Sequence, residues 1–222
     1  MNDHDHGHPH HSHEDAHAPI TETPGASHYE KRATAIVSLL IEKGLVTADE
    51  VRHTIEQMDE RTPAQGAKIV ARAWVDPAFK ARLLADAKSA CAELGVDTGT
   101  LANIVAIENT ESVHNVVVCT LCSCYPRSIL GLPPDWYKSL SYRSRVVKNP
   151  REVLHEFGLD LPQDVEVRVY DSTADMRYLV IPARPAGTEN LSEAELAALV
   201  TRDCMIGVAK ARTVREPATV KD

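Results

Sequence analysis

The sequence predicts an α+β fold with helices outside a set of short strands, and three observations carry that reading. Apolar residues recur at helical spacing, with capping residues in place, through roughly the first hundred positions. From residue 103 the pattern changes to short β-branched runs. Directly after one of those runs, three of the five cysteines fall within six residues, the signature of a metal-binding loop.

The elements follow in order. Residues 1–27 hold seven histidines in the first seventeen positions among Asp, Gly, Pro and Ser, and almost nothing apolar, so this segment reads as a disordered tail. It is either a solvated tail without a specific role, or an expression remnant, or a weak multivalent store of transition metal. No ligand of a catalytic metal is expected from it.

Ser27 with Glu30 forms a capping box, and Ala33, Ile36, Val37, Leu40 and Ile41 place one apolar stripe on a helix that Gly44 stops. Thr47 with Glu50 caps a second helix, with Val51, Ile55 and Met58 on one face; Pro63 ends it or opens the next. Asp76-Pro77 starts a helix with Phe79, Leu83, Ala87 and Cys91 inward and Gly95 beyond its end. Cys91 is there as a small core residue.

Strands are expected over Asn103–Ile107, Val113–Val118, Glu166–Tyr170 and Met176–Pro182. Asn149-Pro150 opens a short helix that ends near Gly158, and Ser192 with Glu195 caps another over about 192–200. These boundaries divide the chain into the tail, a helical stretch over 28–100, an α/β catalytic domain over 101–212 and a flexible C-terminus over 213–222.

Composition sets limits. With 222 residues, 43% of them apolar, there is enough for one core and an appended arm. The net charge of −8, with no Lys/Arg-rich block, argues against nucleic acid or an anionic membrane as partner. No apolar run has the length of a membrane span and the N-terminus is not that of a signal peptide, so a cytoplasmic protein is expected. The cysteines do not form a disulfide framework, which agrees with a reducing compartment.

The loop Cys119-Thr120-Leu121-Cys122-Ser123-Cys124 has the spacing C-x-x-C-x-C and follows the buried run Val116–Val118. Sulfurs of Cys122 and Cys124, with the backbone nitrogens of Ser123 and Cys124 between them, can close a square of two sulfurs and two nitrogens through chelate rings of favourable size. Cys119 then caps the plane, and a sixth position stays open for water or substrate, as a catalytic metal requires. Amide nitrogens bind only after losing a proton, which zinc, with its tetrahedral preference, does not favour.

Cys119-Thr120-Leu121-Cys122-Ser123-Cys124-Tyr125-Pro126 resembles the metal claw of the nitrile hydratase alpha subunit. The resemblance extends to Leu130–Tyr137, Tyr142–Val147, Val169–Ser172, Met176–Tyr178, Arg184–Thr188 and Leu199–Asp203, covering roughly residues 29–210. It implies a layered α-β-β-α domain behind an N-terminal helical arm that wraps a partner. The reaction it implies is hydration of nitriles to amides at a low-spin cobalt(III) or, less in keeping with the sequence, iron(III) centre, one per chain. The nitrile nitrogen binds at the metal, or water is activated there, before oxygen adds to the nitrile carbon.

Further expectations come from the same resemblance. Cys122 is oxidised to a sulfinic acid and Cys124 to a sulfenic acid, while Cys119 stays a thiolate; Cys122, Ser123 and Cys124 are the residues of the reacting centre. Thr120 and Tyr125 match the cobalt-type pattern, where iron-type members usually carry Ser at the first position, and both support or merely pack the loop. Asp171 and Arg177 are candidates for a buried ion pair behind it, with a surface pair as the alternative. His114 lies on the strand just before the claw, where neighbouring positions point to opposite faces, and reads as a satisfied half-buried histidine. The implied partners are a beta subunit, in an α2β2 assembly, and a cobalt-inserting activator protein; the substrate is a small nitrile.

Arg127 departs from the Trp common in nitrile hydratases, at a position that borders the substrate channel. The cobalt-bearing subunit of thiocyanate hydrolase shares Tyr125-Pro126-Arg127 and a His-rich N-terminus, so an anionic C≡N substrate is the second reading. A third, of another class, is a zinc-binding structural or redox module using Cys119, Cys122, Cys124 and a fourth ligand such as Cys204 or a histidine.

Overall fold

The computed structural model describes residues 28–59, 61–98, 103–122 and 124–213, the side chains of 57–59 excepted. The tail with its histidines, Ser27 and the last nine residues lie outside that range, as does Ser123.

Helix α1 (His28–Glu42) ends where Gly44 takes a positive φ of 66°. The expected capping box opens α2 (Ala48–Asp59): Glu50 N–H donates to Thr47 Oγ1 at 3.1 Å and Thr47 N–H to the Glu50 carboxylate at 2.7 Å. Both helices are amphipathic, yet no residue of α1 is buried, and Ile36, Leu39 and Ile55 are all more than half exposed. Val37, Leu40, Ile41 and Val51 of their apolar stripes are half-buried, and among the described residues nothing buries any of α1 fully.

Helix α3 (Ala64–Val75) opens after Pro63 and buries Ile69, Val70 and Ala73. The single helix expected after Pro77 is instead two, α4 (Pro77–Ala85) and α5 (Ala87–Glu93). Asp86 sits between them in an extended conformation, and its carboxylate accepts from Ser89 N–H as an N-cap. The inward residues are those expected, since Phe79, Leu83, Ala87 and Cys91 are all buried.

The strands are β1 (Asn103–Glu108), β2 (Val113–Val118), β3 (Glu166–Asp171) and β4 (Met176–Ile181). They form two parallel pairs, β1 with β4 and β2 with β3. The two pairs face each other, with α3, α4 and α5 on the outer side of the first. Short helices α6 (Arg127–Leu130), α7 (Asp135–Lys138), α8 (Leu140–Lys148) and α9 (Pro150–Glu156) fill the connection from β2 to β3, and α9 packs on β3. Helix α10 (Glu193–Leu199) carries the expected Ser192/Glu195 capping box, and α11 (Arg202–Ile206) packs between β4 and β2. The result is a layered α-β-β-α body. Among the described residues no helix is long and apolar enough to cross a membrane.

Two features fix where β2 ends. Its ladder sets Val118 opposite Asp171, and because Val116, Val117 and Val118 are buried on both faces, a slip of one residue would exchange each side chain between the two packed faces. Gly207, at φ 96°, closes α11 directly against β2: a Cβ there would stand 2.0 Å from the Asn115 carbonyl oxygen.

Candidate metal centre

The chain leaves β2 at Val118 and immediately presents Cys119, which is wholly buried; Cys124 is buried too, and Cys122 is exposed. The sulfurs of Cys122 and Cys124 lie 3.0 Å apart and those of Cys119 and Cys122 3.5 Å apart. All three fall within 4.8 Å of one another. Cys122 N–H donates to Cys119 Sγ at 3.3 Å, which curls the loop over the first cysteine.

The loop is braced from three sides. The Asp171 carboxylate accepts from Thr120 N–H at 2.9 Å and from the Thr120 hydroxyl at 2.5 Å, a two-point grip that the β2/β3 register makes possible. Arg143 donates to the Thr120 carbonyl at 2.6 Å from α8. The Tyr137 hydroxyl donates from α7 to the Cys124 carbonyl at 2.9 Å, and Tyr142 from α8 to the Val117 carbonyl at 2.7 Å. Beneath these, Tyr125, Trp136, Tyr137, Tyr142 and Phe157 stack edge to face at 4.7–6.2 Å between centroids. Burial holds the three phenols well above their usual pKa, so they act as neutral donors.

Charge explains what this arrangement lacks on its own. Burial first, then sharing with Cys122 and the nearby Cys119, pushes the Cys124 thiol up to about 12. Three sulfurs so close cannot all be thiolates without a cation between them. A transition metal would be such a cation, and soft thiolate donors with deprotonable amides would suit one with tetragonal or octahedral preference.

Several expected residues take other places. Asp171 and Arg177 form no ion pair: both Asp171 oxygens go to Thr120, and Arg177 Nη1 reaches only the Met176 carbonyl at 3.3 Å. The backbone amide and hydroxyl of Thr120 lie closer to that carboxylate than any guanidinium does. His114 is fully rather than half buried, with Nε2 2.7 Å from the Gly207 carbonyl and Nδ1 3.2 Å from Asn109 Nδ2. Cys204 is buried in α11 against Thr201, and among the described residues no fourth metal-ligating side chain joins the three claw cysteines. Arg127 is exposed at the start of α6, beside the loop, and Tyr125 packs beneath it with its hydroxyl toward the Leu130 carbonyl.

Tyr137, Tyr142 and Arg143 are bracing residues that motif reasoning did not single out. Their signal was present: two tyrosines in a run with few other aromatics need hydroxyl partners when buried. A separate cavity of about 320 Å³, lined by residues including Asn109, His114, Leu161, Arg184 and Lys210, opens at the other end of β2 and includes no claw residue.

A profile of the family described as nitrile hydratase, alpha chain, matches residues 27–209. The chain belongs to the nitrile hydratase alpha-chain family. It is 54% identical to the low-molecular weight cobalt-containing nitrile hydratase subunit alpha of Rhodococcus rhodochrous, over 87% of this chain and 95% of that one. The cobalt-containing subunit alpha of Pseudonocardia thermophila is 51% identical over 82% and 91% respectively. Thiocyanate hydrolase subunit gamma of Thiobacillus thioparus is 43% identical over 86% and 83%. Among solved structures, a double mutant of the Fe-type nitrile hydratase of Comamonas testosteroni Ni1 superposes with a TM-score of 0.80 at 46% identity, covering 86% of this chain and 96% of that one. The α-β-β-α body is therefore the fold of this family.

Proposed function

We propose that this chain is the metal-bearing alpha subunit of a cobalt nitrile hydratase, which adds water to a nitrile to give the amide. The observation that carries the reading is the cluster of three sulfurs within 4.8 Å at the end of β2, in a chain about half identical to cobalt-containing subunits. Thr120 in the claw agrees with cobalt rather than iron.

The sulfurs of Cys119, Cys122 and Cys124, with the backbone nitrogens of Ser123 and Cys124, would hold the metal. Low-spin cobalt(III) there, one per chain, would supply a Lewis acid for the substrate nitrile. The protein's part is positioning. Asp171 fixes Thr120 and Tyr137 fixes the Cys124 carbonyl, so the two ends of the claw are held while its middle stays open. Leu121, 85% exposed, and Arg127 flank that opening.

Oxidation of Cys122 to the sulfinate and Cys124 to the sulfenate withdraws charge from both in-plane sulfurs. In balanced form, a thiolate with dioxygen gives the sulfinate, and a thiolate with a peroxide gives the sulfenate and water. The sulfenate oxygen of Cys124 would then serve as nucleophile or base.

The uncovered stripe of α1 and α2 and the half-open claw both support an obligate partner, a beta subunit in an α2β2 complex, with an activator protein inserting the cobalt. Free cysteines throughout the described residues support a cytoplasmic setting.

Arg127 favours a second reading, in which the substrate is thiocyanate. The test is production with the neighbouring subunit and activator genes in cobalt medium, followed by parallel assays. Acrylonitrile converted to its amide supports the first reading; ammonia from thiocyanate alone supports the second; a colourless zinc protein inactive on both defeats both.

A further inference from the structure

Each parallel pair of strands ends in a cluster of loops, and the proposed reaction uses only one of them. Ligand crevices form outside the carboxyl ends of parallel strands. For β2 and β3, in register through Val118 and Asp171, that end carries the claw. For β1 and β4, in register through Glu108 and Ile181, it carries residues 109–111 and 182–185, which line the cavity of about 320 Å³. That volume lies within the range of small-molecule sites, and much of the lining is apolar: Leu161, Val165, Pro182, Pro185 and Ala211.

The polar groups left over at this cavity are donors and cations. Asn109, 7% exposed, has a fixed orientation: the Asn115 backbone N–H can only donate, so the atom it meets at 2.8 Å is Oδ1, and Nδ2 faces His114 Nδ1 at 3.2 Å. The second Nδ2 hydrogen has no acceptor among the described residues. His114 is used up, with Nδ1 accepting from Asn109 and Nε2–H donating to the Gly207 carbonyl at 2.7 Å. Arg184 donates only to neutral oxygens, Thr188 Oγ1 at 3.0 Å, the Thr188 carbonyl at 2.6 Å and the Trp74 carbonyl at 3.3 Å, so no acid offsets its charge. Lys210 makes no ion pair among the described residues, and the one carboxylate of the lining, Glu111, is exposed and pairs with neither cation. Two uncompensated cations and a buried amide donor beside apolar walls suit an anion with acceptor oxygens and a hydrocarbon tail. A primary amide of the same shape brings two N–H donors that meet no free buried acceptor there.

We propose that the cavity at the carboxyl ends of β1 and β4 binds a short-chain aliphatic carboxylate, its oxygens accepting from Lys210 and Asn109 and its tail lying on Leu161, Val165 and the two prolines. The Arg184 charge favours the same anion without a direct bond. The site includes no claw residue, so it stands whatever metal or reaction the claw supports.

The experiment titrates the purified complex calorimetrically with hexanoate, hexanamide and inorganic phosphate, comparing wild type, Lys210→Glu and, as a surface control, Arg82→Met. Crystals of the complex soaked in bromohexanoate then locate the halogen by its anomalous signal. Hexanoate should bind once at the cavity, and Lys210→Glu should weaken it at least about tenfold while Arg82→Met leaves it unchanged. Hexanamide, which lacks the charge, and phosphate, which lacks the tail, should each bind at least about tenfold more weakly than hexanoate to wild type. The bromine should lie among Leu161, Val165 and Pro182. If Lys210→Glu does not assemble, Lys210→Met decides by the same criterion. The proposal is overturned by an absence of heat with hexanoate, by equal affinity for hexanamide, or by wild-type affinity in the Lys210 variant. Bromine found only at the claw overturns it too, as does a cavity filled by the partner subunit or by residues 214–222, which continue from the lining residue Thr213.

Discussion

The claw loop and the helical arm are built on opposite principles. In the loop, Cys119 is wholly buried, and among the described residues bonds from within this chain hold it: Asp171 through the β2/β3 register, Tyr137 and Arg143 from the α7–α8 segment. In α1 and α2 the apolar stripe is as regular as any in the sequence, yet Ile36 and Ile55 remain 55% and 52% exposed. The loop is preorganised by its own body, whereas the arm has a face that no described residue of this chain buries. A metal centre demands geometry, and geometry is best set by short internal bonds; an arm demands only area.

The comparison breaks first at the ligands. Cys119→Ala should lower cobalt from about one per chain to below about a tenth and abolish hydration, as metal analysis of the purified complex would show. A variant that kept its metal would place the centre elsewhere. Next in size is the clamp on β2. Gly207→Ala meets the Asn115 carbonyl at 2.0 Å in a left-handed conformation and should cost about 3–5 kcal/mol in urea unfolding. Asp171→Asn, which weakens the grip on Thr120, should reduce metal affinity by about 10- to 100-fold while leaving the unfolding midpoint nearly unchanged. Competition with a chelator measures it.

A smaller effect is read against pH. Burial holds the pKa of His114 below the 6.5 of a free imidazole, so as pH falls the unfolded chain binds the proton first. Stability is intact above 6.5 and declines below it until folded His114 itself titrates, by up to about 1.4 kcal/mol per pH unit. His114→Gln should flatten that decline in thermal melts of the body. The arm should matter least to the body's own stability: deleting residues 1–60 should shift its unfolding by no more than about 0.5 kcal/mol while abolishing capture of the partner subunit in co-purification.

How much the sequence discloses follows the same division between local and distant causes. Thr47/Glu50, Asp76-Pro77 and Ser192/Glu195 act within one turn, and each helix start was readable from them. The valines before Cys119 set β2 to the residue. The break at Asp86 was not apparent because Phe79, Leu83, Ala87 and Cys91 keep helical spacing across it. The helices α6–α8 were missed because they are four to nine residues long and are held by the packing of Trp136, Tyr137 and Tyr142 rather than by propensity. The parallel pairing of β1 with β4 joins residues more than seventy apart, which no local pattern encodes. Within the site, the cysteines were plain from spacing alone. That Asp171 serves Thr120 and not Arg177 is a matter of register and side-chain reach, visible only in the fold.

The most direct test of the central claim, that the claw itself holds the metal, is X-ray absorption at the cobalt edge of the intact complex, His-rich tail included. The account predicts three sulfur neighbours with lighter donors completing the shell, unchanged when residues 1–27 are removed. A shell dominated by imidazole, lost with the tail, would contradict it.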